Sequence, residues 1–482
     1  MRMNINNKIK KTFQKNKDFV NQSIELSQNK KIDLFFIDNM IDKALVSKEI
    51  VSKLQEKQFE GDINVESILK TVAVAGAKKD EGYENAEKEI LAGSVVIVAE
   101  WFQGNYFITC PCQGFQQRTV AEPPTSAVQK GPREGFTEDM TTNLSLIRKR
   151  LRTADLVVEE AKLGRYTDTK VVVAYLDSVA DKKVVEEVKK RLKKINIDGI
   201  IDSYYVETFL SPNKSILFKQ VGNTEKPDIA VAKLLEGRVA VLVDGSPMAL
   251  TIPYIFVEDL QSGDDYYDHP THATFIRLIR IFGMIIAITL PGIYVALQSF
   301  HYGILPIDFL LTLQNSIEGL SYPPLIEILV VLFLFEILNE ASIRMPKYSG
   351  MALSIVGALV LGDTAVQAGI ISPPAVIMVA ISGITLFTVP GQITTASILR
   401  LVFTIIGGIA GFYGLLVGFV FLTSYLMTLD AYGAPYFAPY APNIASDKKD
   451  GVFKEPLSNF NKRPISIPNV NKVRQKHEQN SN

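Results

Sequence analysis

Cysteine is nearly absent. Cys110 and Cys112 are the two in 482 residues, which excludes a disulfide scaffold. With one proline between them, they read as a reduced pair at a strand end in a cytoplasmic domain. Histidine is scarce too, and His269, His272, His301 and His477 do not combine with the cysteines into a metal-ligand spacing. An excess of charge is also missing. The chain carries 51 Lys+Arg against 51 Asp+Glu, which removes bulk electrostatics as a way of holding nucleic acid. The sequence holds no P-loop, no GxSxG and no HExxH pattern. These absences predict no catalytic residues, no metal, no cofactor and no enzyme. A chain that is 47% hydrophobic and 21% charged is also no candidate for disorder.

The charge balance hides an uneven distribution. Residues 1–274 hold 38 basic and 40 acidic side chains, whereas residues 281–430 hold three basic and seven acidic ones. The last 52 residues return to eight basic against four acidic. This pattern predicts a soluble domain, a membrane domain and a basic tail. A bilayer core takes about 20 apolar residues per helix. Spans are expected at Ile281–Phe300, Leu325–Ser342, Met351–Ile371 and along a long run from Leu401 to Leu429. Ala375–Val389, with Pro373, Pro374 and Pro390 around it, fits either a re-entrant segment or a fifth span. Arg277 and Arg280 before the first span, with Arg344 and Lys347 after the second, favour four spans with both termini cytoplasmic, leaving Arg400 on the outer side. The basic opening lacks an apolar core, so no signal peptide is expected.

In the soluble half, Leu34, Ile37, Ile41 and Leu45 fall on one face of a helix over 34–45. From Lys170 onward, "KVVVAYL" reads as a strand and "DKKVVEEVKKRLKKI" as an amphipathic helix. "GIIDSYYVETF" follows as a strand, "PDIAVAKLLEG" as a helix and "RVAVLVDG" as a strand. That order predicts an open, partly parallel α/β sheet. The expected organisation is a basic polar arm (1–30), two soluble subdomains (31–160 and 161–272), a polytopic α-helical membrane domain (273–430) and a basic Pro/Tyr-containing tail (431–482). Tyr432, Tyr436, Phe437 and Tyr440 in that tail have the composition of an interfacial anchor. Gly407/Gly411 and Gly414/Gly418 lie at helix-packing spacing.

The stretch "GPREGFTEDMTTNLSLIRKRLR" combines a glycine turn with a helix that Thr137 can cap and that runs to about Arg150. It reads either as a solvated basic helix or as a docking surface built from Arg133, Glu134, Arg148 and Arg150. Together with "TEKPDIAVAKLLEGRVAVLVDG", "DDYYDHPTHATFIRLIR", "PPLIEILVVLFLFEILNEASIRMP", "IVGALVLGDTAVQAGIISP" and "YGAPYFAPYAP", it resembles the A subunit of the GerA family of spore germination receptors. Lys226, Ser126 and Lys130 depart from that family's usual residues. The resemblance implies a multi-pass protein of the spore inner membrane. It also implies partnership with a transporter-like B subunit and a lipoprotein C subunit, a response to small nutrients, homo-oligomerisation through the membrane domain and release of monovalent cations.

Intramembrane acids are costly and therefore informative. Glu336, Glu340 and Arg344 are spaced by four and share a helix face, with Glu327 on the opposite side. They fit either a structural salt bridge from Glu340 to Arg344 or a cation-attracting stripe with Glu336 acting directly. Ser354, Gly357, Leu361, Thr364 and Ala368 form a stripe of mostly small residues that fits a packing seam or a pore lining. Competing readings are a paralogous amplifying channel without its own nutrient sensor, or a solute transporter acting alone through the broken helix near 373–390.

Overall fold

The computed structural model describes residues 5–26, 30–57, 59, 63–102, 104–114, 130–213, 216–318, 320, 322–344 and 362–475. The first module begins with α1 (Ile5–Thr12), β1 (Phe19–Glu25) and β2 (Lys31–Ile37), followed by helical turns over 43–56 and by α2 (Val65–Thr71). β3 (Lys78–Glu81), α3 (Tyr83–Leu91), β4 (Ser94–Val98) and β5 (Tyr106–Pro111) complete it. Its sheet has the order β1-β2-β4-β5-β3, with every pair antiparallel. β2 is apolar on both faces because both are covered. Leu34 and Phe36 pack under the helical turns, while Phe35 and Ile37 meet Ile5 and Ile9 of α1. Residues 34–37, expected as helix, are therefore strand, and the first thirty residues supply a helix and an edge strand of the sheet.

The second module comprises α4 (Met140–Arg150), β6 (Leu156–Leu163), β7 (Thr169–Leu176), α5 (Lys182–Lys193) and α6 (Ser203–Leu210). It continues through β8 (Gly222–Thr224), α7 (Pro227–Leu235), β9 (Val239–Val243) and β10 (Ala249–Ile252). The sheet order is β6-β7-β9-β10-β8, again wholly antiparallel. The expectation of a partly parallel sheet fails at one segment. "GIIDSYYVETF" has the composition of a strand, yet Asp202 accepts from the Tyr204 amide at 2.8 Å and starts α6. Val206 and Leu210, four apart, supply its buried face. α5, α6, the edge strand β8 and α7 then carry the chain across, and β9 enters beside β7 in the reverse direction. The two modules are joined by a buried bidentate pair: Arg148 of α4 donates from Nε and Nη2 to Asp18, both at 2.9 Å.

The helical half contains α8 (Pro270–Ser299), α9 (Ile307–Ile317), α10 (Pro324–Arg344), α11 (Pro373–Leu386) and α12 (Ile393–Thr428). By length and composition, two described helices, α8 and Pro390–Thr428, could cross a membrane. The second is not one span. Gly411 has φ 60° and ψ −152°, a conformation open essentially to glycine alone, and the chain reverses there. A Cβ on Gly418 would lie 3.4 Å from Ile406 and 3.7 Å from Phe403, although a straight helix would separate residues 403 and 418 by about 22 Å. α12 is thus a hairpin whose tip touches Phe300 and His301 just beyond α8. Each arm has roughly the length of a hydrocarbon core. The first arm packs backbone to backbone on α8, since a Cβ on Gly407 would lie 2.4 Å from the Gly292 carbonyl. The expected span 351–371 falls largely outside the described residues.

Candidate coupling site between the two halves

Both ends of the α12 hairpin return to the α/β domain. At the first, the Thr395 hydroxyl donates to the Leu217 carbonyl at 3.0 Å. At the second, Leu426 packs with Phe218, Tyr254 and Tyr436. The tail then runs back over the domain. Tyr436 is fully buried, the Phe256 amide donates to its carbonyl at 2.8 Å, and the Phe437 ring stacks on Phe256. These aromatic residues therefore clamp protein to protein, where composition had suggested an interfacial anchor.

The clamp centres on Arg277, in the second turn of α8 and fully buried. Its Nε donates to Asp265 at 2.9 Å, and its Nη1 donates to the Asp450 carboxylate at 3.1 Å and to the Gly451 carbonyl at 2.5 Å. Arg280 adds a second bond to Asp265 at 2.8 Å, and the Tyr266 hydroxyl donates to Asp450 at 2.8 Å. One guanidinium thereby holds the domain's last loop, the first membrane-length helix and the tail. Burial pushes the Asp450 carboxyl up, with Arg277 and Tyr266 pulling the other way. Lys454, whose amine donates to the Asp265 carbonyl, is drawn down by burial and by the Arg277 charge.

A second contact joins the same loop to the α11–α12 connection. The Gln392 amide donates to Asp259 at 2.6 Å, and burial raises the Asp259 carboxyl. The loop itself is anchored by Glu258, which accepts from Arg238, from Lys233 at 2.8 Å and from the Ile255 amide at 2.9 Å. Burial works to raise Glu258, yet Arg238 and Lys233 hold it below the usual carboxylate range. Movement of this loop therefore bears on α8, α12 and the tail together.

Within the helical half, Arg400 of the first hairpin arm is 1% exposed. Its Nη2 donates to Glu336 of α10 at 2.6 Å and its Nη1 to Ser382 of α11 at 3.3 Å. Ser397 also donates to Glu336. The Glu336 side chain is 42% exposed on the outside of this bundle. Arg400 thus lies inside the helical core, paired across to α10 and α11.

The remaining sequence candidates divide. Glu340 pairs with Arg344 at 2.5 Å, both exposed. Thr364 and Ala368 are exposed, whereas Ser354, Gly357 and Leu361 lie outside the described residues. Arg148, expected on a docking surface, is buried by its pair with Asp18. Arg150 and Lys149 both grip Glu134, which burial would raise but these two cations hold low. Arg133 is exposed on the same turn. The helix is capped by Asp139, through the Thr142 amide at 2.7 Å, two residues later than expected. Cys110 and Cys112 are buried free thiols that burial pushes up to about 12 and about 11. Asp259, Asp450 and Gln392 were not singled out by sequence. Their partners lie 133 or more positions away, and no local periodicity marks them.

The structure thus defines a two-part protein: an α/β domain with antiparallel sheets, followed by a helical part with membrane-length helices tied to it by buried ion pairs. The profile of the Bacillus/Clostridium GerA spore germination protein matches residues 7–466, and the chain belongs to that family. It is 36% identical to spore germination protein KA of Bacillus subtilis (strain 168) over 476 residues, covering 98% of this chain and 87% of the relative. Spore germination protein XA of Bacillus anthracis is 33% identical over 448 residues, 92% and 90% of the two chains. Among solved structures, the N-terminal domain of the A subunit of the Bacillus megaterium spore germinant receptor GerK3 is 26% identical, with TM-score 0.41, over 52% of this chain and 93% of that one.

Proposed function

We propose that this chain is the A-type membrane subunit of a germinant receptor of the spore inner membrane, and that the helical halves of several copies form a nutrient-gated path for monovalent cations. B- and C-type subunits would report nutrient binding, and the α/β domain would relay it through the Arg277 and Asp259 contacts. No catalytic step belongs to this reading. The basic N-terminal end of α8 and both ends of the α12 hairpin face the α/β domain, which supports a cytoplasmic location for that domain and for the tail. Arg133, with the exposed edge of the Glu134–Arg150 pair, is the proposed docking point for a partner subunit.

The observation that carries the reading is the Arg400–Glu336 pair. A buried arginine in an apolar bundle is retained at considerable cost, and its partner carboxylate is half open to the outside of the bundle. In a ring of copies that carboxylate would attract cations while Arg400 limits its charge. Glu340, Thr364 and Ala368, with Ser354, Gly357 and Leu361, complete the proposed pathway. The test is Glu336→Gln in spores with normal levels of the protein. Nutrient-triggered cation release should slow or change selectivity, and unchanged release would sink the assignment. Leu361→Ala should give leaky, nutrient-independent release; undisturbed dormancy would remove the 354–368 stripe from the path.

A further inference from the structure

Two of the cavities on the α/β half differ in their charge logic. The larger, about 480 Å³, lies between β6 and α5. Three of the four cations on its wall are matched by acids: Lys162 by Asp168, Lys189 by Glu159, and Arg165 by Asp198. The smaller, about 270 Å³, lies where the tail passes the end of α7. There the acids are committed elsewhere. Glu236 accepts from Arg238 at 3.0 Å, and Asp447 accepts from the Ser466 amide and hydroxyl at 2.7 and 2.6 Å. Asp450 is held by Arg277 and Tyr266.

Of the cations lining this second cavity, Lys449 pairs with Glu455 at 3.5 Å, and the other three are held differently. Arg463 gives its guanidinium to the carbonyls of Leu235 at 2.6 Å, Asn471 at 3.1 Å and Val473 at 2.5 Å. These bonds fix its position and leave its charge uncompensated. The Arg474 guanidinium lies 5.8 Å from the Phe460 ring. Among the described ion pairs, none joins Lys462, Arg463 or Arg474 to a carboxylate. Burial, and then the charge of Arg474, pull the Arg463 guanidinium below its ordinary value. Two like charges fixed at one cavity wall are unfavourable unless an anion enters, and guanidinium groups are suited to the oxygens of phosphate.

We propose that this cavity is a binding site for a phosphate-class oxyanion, with Arg463, Arg474 and Lys462 as its ligands. A volume below the usual range for drug-sized ligands suits a single phosphate group, from a small phosphate or from a phospholipid headgroup. Binding would close the 446–474 segment on α7, beside the Asp450–Arg277 contact.

The experiment uses the full chain, in detergent and in lipid nanodiscs, with Lys462→Gln/Arg474→Gln as the variant. Among the described residues neither side chain carries a hydrogen bond that holds the tail, so the variant keeps the Arg463 anchors. Titration of inorganic phosphate against chloride at equal ionic strength should give saturable binding to the parent chain, weakened roughly tenfold or more in the variant. A lipid source predicts a different result. Free phosphate gives no binding, but hydrogen exchange over 446–474 slows in phosphatidylglycerol relative to phosphatidylcholine nanodiscs, in the parent chain alone. Equal behaviour of parent and variant in both arms overturns the proposal.

Discussion

Arg277 and Arg400 are both fully buried arginines of the helical half, and they are satisfied in opposite ways. Arg277 faces two carboxylates and two backbone carbonyls drawn from sequence positions up to 174 residues apart. Arg400 faces one carboxylate, which is itself 42% exposed, and one serine hydroxyl. The first is tied to three chain segments at once, with its Nη2 left without a hydrogen-bond partner among the described residues, as suits a joint that holds the α/β domain, α8 and the tail in register. The second is under-determined, as suits a charge pair that can separate. The contrast places rigidity at the seam and adaptability inside the bundle.

The largest expected effect comes from removing the seam arginine. Arg277→Met leaves Asp265 and Asp450 buried with less counter-charge, and losing one partner of a buried pair costs about 3–5 kcal/mol. Denaturant unfolding of the purified chain should show that loss, with rapid hydrogen exchange over residues 446–454. If the tail stays protected, the joint is not where the halves are held. Arg400→Gln should cost less, about 1–3 kcal/mol, because the carboxylate it leaves behind is already 42% exposed. Its larger consequence should appear in ion release, with raised basal leakage as the Glu336 charge is uncovered. A variant as unstable as Arg277→Met but with normal dormancy would invert the comparison.

How far these two sites could be read in the sequence follows from the same contrast. The division into an α/β domain and a helical part was visible because charge density falls sharply after residue 280. The glutamates of α10 were visible because a charge in an apolar run stands out. The seam was not. Asp450 lies in a polar tail where an acid is unremarkable, and its value comes from Arg277, which a chain reversal brings to it. Gly411 was read as one member of a small-residue seam, since a glycine spacing is the same whether the helix continues or turns back. "GIIDSYYVETF" misled because its residue types favour a strand while its capping aspartate and its Val206/Leu210 spacing favour a helix. Capping and long-range charge decided where composition pointed elsewhere.

A smaller prediction separates the acids of the seam by sign. Glu258 is held below its ordinary value by Arg238 and Lys233 against the pull of burial. The stability it contributes is therefore present above the ordinary carboxylate pKa and is lost as pH falls through its lowered value. Asp259, one residue on, is raised by burial, against the pulls of Lys219, Tyr254 and Gln392. Its folded form binds a proton more readily than the unfolded chain does. Its contribution to stability therefore grows as pH falls from its raised value towards the ordinary aspartate pKa, about 3.9, and is lost as pH rises. Asp259→Asn keeps an acceptor for the Gln392 amide and removes the titration. The variant should match the parent chain at the acidic end of that window and exceed it slightly above. Thermal unfolding at stepped pH is the measurement. A variant less stable than the parent at the upper end of the window, where Asp259 is ionised, would mean that the Asp259 charge itself holds the α11–α12 connection, which would make this contact a second charged joint like Arg277.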